Sequence, residues 1–509
     1  MDSDLLHRLA AESDRVVHTH GSVVFLRGDD VYKVKKPVNF GFLDYSTLVR
    51  RGSFCLEEVR LNRRWSRGIY LGIVPVGETF DDALEPVEWA VHMRRYEEAH
   101  TLQSRWQAGT LTVEQVASVG RFVATVHRRC PRSPLARQHG TVESFQEVLE
   151  GVFDPPSTRD AAHVVPAPLY EAVRTEALAR LAEVEEVWRA RTGGARELHG
   201  DLRMEHALLS EDGAIDVVDV LEFNDALRCG DPVLDVGFMA MDLAVRGEPA
   251  LARAFVGAWV DTSDDHGLLP LLPVAAAYRS CVRGKVAELL ALDPDIDDDV
   301  RDHAQHRALR HWLWSASVVR PPNDRPVLLG IGGLPGTGKS TVAAHLAETR
   351  GMTVVRADAV RKQRAGLPID APTPEAMKPE LYAPANTIAV YRACLVQAER
   401  IVAEGGRALI DATFADPVQR RALETLGRRL GVPTALWLCD VPEEVARQRI
   451  SARPQGPSDA DADVLSRAIA SWPADPARAF DTSDSPEATF AAAEGRLDRL
   501  VDAALDALR

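Results

Sequence analysis

Residues Gly333-Leu334-Pro335-Gly336-Thr337-Gly338-Lys339-Ser340, followed by Thr341, fit the pattern G-x-x-x-x-G-K-[ST] without a mismatch. The stretch before them, Val327-Leu328-Leu329-Gly330-Ile331, reads as a buried parallel strand, and Thr341–Thr349 reads as an Ala-rich helix. The glycines therefore fall on a strand-to-helix turn, the context that makes the pattern a phosphate cradle rather than a bare turn with a surface lysine. Glycine lets the backbone turn its N–H groups inward at dihedral angles other residues resist. The helix N-terminus adds partial positive charge. The residues Gly333 to Thr341 are the expected nucleotide contacts, with Lys339 reaching the β- and γ-phosphates and the Ser340 hydroxyl ligating Mg²⁺.

From residue 327 the chain alternates strand and helix: strands at 353–356, 408–413 and 434–439, helices at 385–404, 416–430 and 442–450. That alternation predicts a parallel sheet with helices on both faces. Ligands on such sheets sit at the carboxyl ends of the strands. Ser340, Asp358 and Asp411 all fall there. Asp411, ending an apolar strand, is the expected carboxylate for Mg²⁺ or its waters. Asp358 can take a proton from an acceptor hydroxyl, and Arg361, three residues on, can fix a neighbouring anion. Asp358 as a mere helix cap is the plain alternative. Arg447, Arg449 and Arg453 precede Gln455-Gly456-Pro457-Ser458-Asp459. Arg449 and Arg453 read as lid arginines that neutralise phosphoryl charge, while Arg447 reads as solvated surface. A motor ATPase would want Glu beside Asp411, and Ala412 stands there.

With 509 residues the chain should hold two or three domains. The segment Arg320-Pro321-Pro322-Asn323-Asp324-Arg325-Pro326 is the clearest boundary, giving units at 1–320 and 327–509 with 321–326 as linker. A net charge of −15 argues against a broad nucleic-acid surface. Six scattered cysteines without a C-x-x-C pair read as reduced thiols of a cytoplasmic protein. The N-terminus does not resemble a signal peptide, and no apolar run is long enough to span a bilayer.

Only seven of the 60 basic residues are lysine, and three crowd into Val31-Tyr32-Lys33-Val34-Lys35-Lys36-Pro37. Residues 16–35 read as a hairpin turning at Gly28-Asp29-Asp30, and Thr47–Trp65 as a helix with Phe54, Glu58, Leu61 and Trp65 on one stripe. A glutamate on an apolar stripe needs a partner unless it reaches solvent. Strands at 71–78 and 89–96 and helices at 112–129 and 168–191 follow. Then come Glu197-Leu198-His199-Gly200-Asp201-Leu202-Arg203-Met204-Glu205-His206, a short hairpin, Asp219, and Gly230-Asp231-Pro232-Val233-Leu234-Asp235 opening another helix. Two closing helices span 275–292 and 300–318. His303, His306 and His311 on the second read as a solvated face.

His199-Gly200-Asp201, the hairpin, Asp219 and Asp231…Asp235 resemble the core of the aminoglycoside-phosphotransferase-like kinases, relatives of protein kinases, over about residues 15–315. The resemblance implies a two-lobed α+β fold with ATP between the lobes. By it, Asp201 would orient or deprotonate the acceptor hydroxyl and Asp219 would ligate Mg²⁺. It also implies a strand lysine paired with a helix glutamate. In that family the residue two before the lysine packs on adenine, which favours Lys33, with Val31 before it, over Lys35; Glu58 is the expected partner. His206 stands where the family has a metal-ligating Asn, and imidazole suits Mg²⁺ poorly. Thr19-His20-Gly21-Ser22 is a thin nucleotide loop.

G-x-x-x-x-G-K-S, D-x-x-R and D-A-T in this order resemble the P-loop kinases of the polynucleotide-kinase, gluconate-kinase and zeta-toxin group, over about 327–480. There the D-x-x-R aspartate is the general base, which falls on Asp358. The whole chain resembles a bacterial family described as a bifunctional phosphotransferase/ATP-binding protein. The combined expectation is an α+β two-lobed protein-kinase-like domain followed by an α/β P-loop domain. It would transfer the γ-phosphate of ATP, with Mg²⁺, to a hydroxyl of a small polar acceptor; a nucleic-acid 5′ end is not favoured. Two other readings stay open: an N-terminal pseudokinase sensor regulating the P-loop kinase, and an ATP-switched binding protein without acceptor chemistry. Oligomeric state is left open.

Overall fold

The computed structural model describes residues 3–19, 21–39, 43–80, 85–154, 164–369, 371–452, 462–470, 472–473 and 475–508. Helix α1 (Ser3–Ala11) precedes strands β1 (Arg15–His18), β2 (Ser22–Arg27) and β3 (Asp30–Lys35); after helix α2 (Leu48–Asn62) come β4 (Tyr70–Val76) and β5 (Glu88–Arg94). The five strands form one antiparallel sheet in the order β1-β2-β3-β5-β4. Strand alternation gives it two faces. Val23, Phe25, Val34 and Ala90 pack on Leu5 and Leu9 of α1, while Val91 and Met93 pack on Cys55 and Val59 of α2. Thr47 caps α2 by accepting from the Arg50 N–H at 3.3 Å.

A mostly helical region follows. Helix α3 (Val113–Arg129) opens on a capping box made by Thr112 and Gln115. The single helix expected over 168–191 is two, α4 (Ala167–Glu183) and α5 (Glu185–Arg191), broken at Val184. The break swings Trp188 onto Phe145, ring centroids 4.3 Å apart, where its Nε1 donates to Gly140 O at 3.1 Å. Burial of one large aromatic outweighs helical continuity through a β-branched residue flanked by glutamates. The hairpin β6 (Ala207–Leu209) and β7 (Ile215–Val217) leads to α6 (Val233–Val245), which is buried nearly all round by α7 (Pro249–Ser263), α8 (Leu272–Ala291) and α9 (Asp298–Val319). One expectation on α9 fails. His303 and His306 are exposed, but His311 is buried against α8, where Ser280 Oγ lies 3.0 Å from its Nδ1 and donates to its carbonyl at 2.9 Å.

The chain then builds β8 (Val327–Gly333), α10 (Lys339–Arg350), β9 (Thr353–Arg356), α11 (Ala357–Arg364), α12 (Pro384–Ala403), β10 (Arg407–Asp411), α13 (Pro417–Leu430), β11 (Thr434–Asp440), α14 (Glu443–Ser451), β12 (Ala479–Asp481) and α15 (Pro486–Asp506). The sheet is parallel throughout, in the order β9-β10-β8-β11-β12. Both faces are covered: Leu328, Ala408, Ile410, Leu436 and Leu438 pack with Leu423 of α13, whereas Val327, Leu329, Ile331, Leu409 and Trp437 pack with Leu346 of α10 and Leu497 of α15. The short edge strand β12 was not foreseen, since three residues show no usable alternation.

The proline-rich connection is tied down. Arg325 pairs with Asp502 at 2.6 Å, Arg320 donates to Gly405 O at 2.6 Å, and Arg407 donates to Pro322 O at 2.8 Å. Helix α9 packs on α13 and α15, and Arg310 donates to the carbonyls of Arg428 and Arg429 at 3.1 and 3.2 Å.

Gly120 on α3 marks a close approach. A Cβ there would stand 2.5 Å from Phe255 O on α7. Gly120→Val should therefore destabilise the fold by about 1–3 kcal/mol through overpacking, read as a lower unfolding midpoint in urea. An unchanged midpoint would show that α3 and α7 can separate freely.

Candidate active sites

The C-terminal site is a cleft of about 660 Å³ at the carboxyl ends of β8, β9 and β10. Gly333, Gly336 and Gly338 hold φ of 133°, 78° and 88°. A Cβ on Gly336 would meet Ala446 O at 2.5 Å, so α14 presses the loop into shape from behind. Thr482, just after β12, braces it by donating to Thr337 O at 2.6 Å. Lys339 Nζ donates to Leu334 O at 2.8 Å.

Ser340, Asp358, Arg361, Asp411 and Arg449 all line this cleft. Asp411 is buried beneath the loop, and burial raises its carboxyl pKa against the opposing pull of Lys339 and a hydrogen bond with Ser340. Ser340 and Asp411 make a hard-oxygen donor set of the kind Mg²⁺ accepts, normally completed by substrate phosphates and water. Asp358 is the second residue of α11, not its cap, and is 55% exposed. Arg361 is held beside it, Nη1 to Oδ1 3.2 Å, with its guanidinium 4.5 Å from the Tyr382 ring centroid. The Arg361 Nε is buried without an acceptor among the described residues. An orphaned cationic donor beside the cradle fits an anionic occupant. Arg449 donates to Thr482 O at 2.8 Å, whereas Arg447 turns outward to Glu443. Arg453 and the expected lid at 455–459 lie outside the described residues. Thr482 and Tyr382 escaped the sequence reading: Thr482 reaches Thr337 from 145 residues away, and Tyr382 lies beyond the next turn of chain, where nothing local marks a ring that will stack on Arg361.

The N-terminal site lies where β3, α2 and the loops around β6 and β7 meet. Lys33 Nζ stands 2.9 Å from Glu58 Oε1 and 2.7 Å from Asp219 Oδ1. Glu58 is wholly buried, so it does not reach solvent at the stripe edge. Lys33 makes the expected pair with Glu58 but is not alone there. Lys35, also buried, lies 2.7 Å from Glu58 Oε2 and pairs with Glu222, to which Tyr45 also donates. Lys33 and Lys35 share a strand face, so one glutamate meets both. Burial works against each charge, but Glu222 and Glu58 keep Lys35 protonated, and Asp219 and Glu58 do the same for Lys33. Glu222 carries no motif in the sequence; its one signal is its position three residues after Asp219.

Asp235 is completely buried at the start of α6 and accepts from the N–H groups of His199 and Gly200 at 2.8 and 2.9 Å, with His127 Nε2 at 3.0 Å. These bonds fix the Asp201 loop. Asp201 is gripped by both arms of Arg203, at 2.9 and 2.8 Å. Burial would raise its pKa, but Arg203 and His206 outweigh that and hold it well below the carboxylate range. Asp219 is likewise driven down against burial, by Lys33 and then His206. His206 points its Nδ1 at Asp201 O, 2.8 Å away, and its Nε2 stands 3.7 Å from Asp219 Oδ2. One carboxylate beside an imidazole fits Mg²⁺ less well than the Ser340–Asp411 pair does. His20 of the thin loop lies outside the described residues. Among the described residues no helix is long and apolar enough to cross a membrane.

Residues 328–474 match the family described as AAA domain. A protein of Mycobacterium tuberculosis, described as uncharacterized, is 30% identical over 471 residues, 90% of each chain. An equivalent protein of Mycobacterium bovis matches at the same identity and coverage. Among solved structures, a sugar kinase from Janibacter sp. is 23% identical, covering 34% of this chain and 95% of its own, at a TM-score of 0.26. A choline/ethanolamine kinase family protein from Mesorhizobium loti is 13% identical, covering 60% and 92%, at 0.38. Likenesses at these scores carry no argument about chemistry.

Asp411 offers a pH test. Its folded pKa is raised, so its contribution to stability is full below the unfolded value and is lost as pH rises through the folded value. At pH 7 the ligand-free protein therefore carries the cost of a buried charge. Asp411→Asn should raise the ligand-free melting temperature at pH 7, with the gain shrinking as pH falls towards 4. The same variant should lose the melting shift given by Mg²⁺ with ATP. A variant less stable than the parent at pH 7 would mean that Lys339 and Ser340 already repay the burial.

Proposed function

The chain belongs to the same family as these mycobacterial proteins; on that premise we propose an ATP-dependent phosphotransferase with two nucleotide sites, an aminoglycoside-phosphotransferase-like kinase fold joined to a P-loop kinase domain. The P-loop site transfers the γ-phosphate to a hydroxyl of a small polar acceptor. The observation that carries this reading is the Asp358–Arg361 pair lining the same cleft as Lys339, Ser340 and Asp411. A site built only to hydrolyse or sense ATP needs no such pair.

In this reading the Gly333–Thr341 backbone wraps the phosphates and Lys339 faces the β- and γ-oxygens. Ser340 and Asp411 would hold Mg²⁺, and the ion would supply neutralisation of phosphate charge when bound. Asp358 accepts the hydroxyl proton as the acceptor oxygen bonds to the γ-phosphorus. The bond from that phosphorus to the bridging oxygen breaks, releasing ADP. Arg361 anchors the acceptor through the part of its guanidinium that lines the cleft, and Arg449 lies ready to meet charge on the phosphoryl group. The units 1–320 and 327–509, with 321–326 between, are the proposed division of labour. Six unpaired, buried cysteines favour a reducing compartment, the cytoplasm.

A second reading concerns the N-terminal site alone. The Arg203 grip on Asp201 and the imidazole near Asp219 favour a site that binds ATP and turns over slowly, or serves as a sensor. Under it Asp201→Ala changes no transfer, while Lys33→Ala still weakens ATP binding.

Acceptor-dependent rates with saturating ATP, beside equilibrium binding of an ATP analogue, test the main reading. Lys339→Ala should remove most turnover. Asp358→Asn should leave ATP affinity nearly intact while transfer falls roughly 10²- to 10⁴-fold. Arg361→Ala should raise the acceptor KM, more for an anionic acceptor than a neutral one. If Asp358→Asn weakens ATP binding as much as Lys339→Ala does, Asp358 is a nucleotide or metal ligand and the acceptor site lies elsewhere.

A further inference from the structure

A group of arginines gathers beside Asp201, and two of them have no role in either site described above. Arg203 stands on the Asp201 loop, Arg246 just past the end of α6, Arg283 on α8, and Arg307 and Arg310 on α9. The Ser280–His311 bonds fix the antiparallel register of α8 and α9, and Gly284 lies against Trp312 one turn further on. That register brings Arg283 and Arg307 to one side of the pair. His311 sits beneath them and is held neutral by burial and by the charges of Arg283, Arg307, Arg310 and Arg246.

The carboxylates near the group are Asp201, Glu205 and Asp242, and they are largely taken. Arg203 holds Asp201 with both arms and also pairs with Glu205, while Arg246 holds Asp242 at 3.2 Å. Arg310 spends its donors on two carbonyls of α13. Arg283 and Arg307 make no hydrogen bond or ion pair with any described residue; the opposite charges that act on them are Asp201 and Glu205 for the first and Glu205 for the second. Arg283 is half-buried and Arg307 is exposed. Five cations against three carboxylates leave an uncompensated positive field, in a chain whose net charge is −15. Unpaired guanidinium groups on two rigid helices are a fork for a planar or tetrahedral anion.

We propose that Arg283 and Arg307, backed by Arg203 and Arg246, form an anion-binding face beside Asp201, so that the acceptor of the N-terminal site is a hydroxyl compound carrying a phosphate or carboxylate. This rests on the reading of the Asp201 site as a kinase site. The anion docks on the two arginines, and its hydroxyl reaches Asp201 as a separate part of the same small molecule. A cationic amino sugar is excluded by the same field.

The test uses the full chain carrying Lys339→Ala, which silences the P-loop, with AMP-PNP and Mg²⁺ present. Glucose 6-phosphate, gluconate, glucose and kanamycin are the probes, read by calorimetric titration and then, with labelled ATP, by phosphoryl transfer. Glucose 6-phosphate or gluconate should bind at least tenfold more tightly than glucose, with no kanamycin binding. Arg283→Ala with Arg307→Ala should weaken that binding tenfold or more, and Arg283→Lys with Arg307→Lys should restore part of it. Asp201→Asn should remove transfer and keep binding. Equal binding of all four probes, a preference for kanamycin, or binding that follows Arg361→Ala and ignores the Arg283/Arg307 pair overturns the proposal. Arginine-dependent anion binding with no labelled product from any probe keeps the anion face and removes the kinase reading of Asp201.

Discussion

A carboxylate cut off from water must be met by donors on every side, and Asp235 shows how much structure one such demand can organise. With no exposed surface, it takes two backbone N–H groups from the His199–Gly200 turn and faces the ring of His127. His127 in turn accepts from Trp259 at 3.1 Å. One buried charge thus ties α3, α6, α7 and the Asp201 loop to a common point. Removing a partner would strand the charge, at a cost of about 3–5 kcal/mol. Glu58 obeys the same rule between β3 and α2, where two lysines answer it, and Asp411 obeys it less fully under the phosphate loop.

The difference among these carboxylates separates scaffold from chemistry. Asp235 is met by donors on each oxygen and Glu58 is ion-paired to two lysines, so they hold shape. Asp411 keeps a raised pKa and Arg361 keeps an orphaned donor; these groups are left short in the very cleft that has room for a ligand. Asp201 and Asp219 lie between the two cases. Both face the opening between sheet and helices, yet both are already gripped, by Arg203 and by Lys33.

The parallel sheet was readable in the sequence because its strands are continuous apolar runs between turn signals, and Asp358, Arg361 and Asp411 fall where strand ends must converge. The N-terminal hairpin, α2 and its glutamate were readable for similar reasons. What escaped was set by distant packing. Trp188 breaks a helix to stack on Phe145, and His311 is buried only because Ser280 lies opposite. Lys35 shares Glu58 with Lys33 because Glu222 arrives from 187 residues away. No window along the chain contains both partners in any of these cases.

The tethered connection between the two halves has a thermodynamic meaning. Arg310 reaches from α9 to the end of α13, Arg325 locks onto α15, and side chains of both halves pack into one apolar cluster. Cutting such a joint would expose apolar surface on both pieces, so neither half is a free-standing module. Melting should then be a shared event, and any molecule gripped in one half prolongs the life of the other by mass action. Occupancy at either end of the chain becomes, in that sense, a common reserve against unfolding.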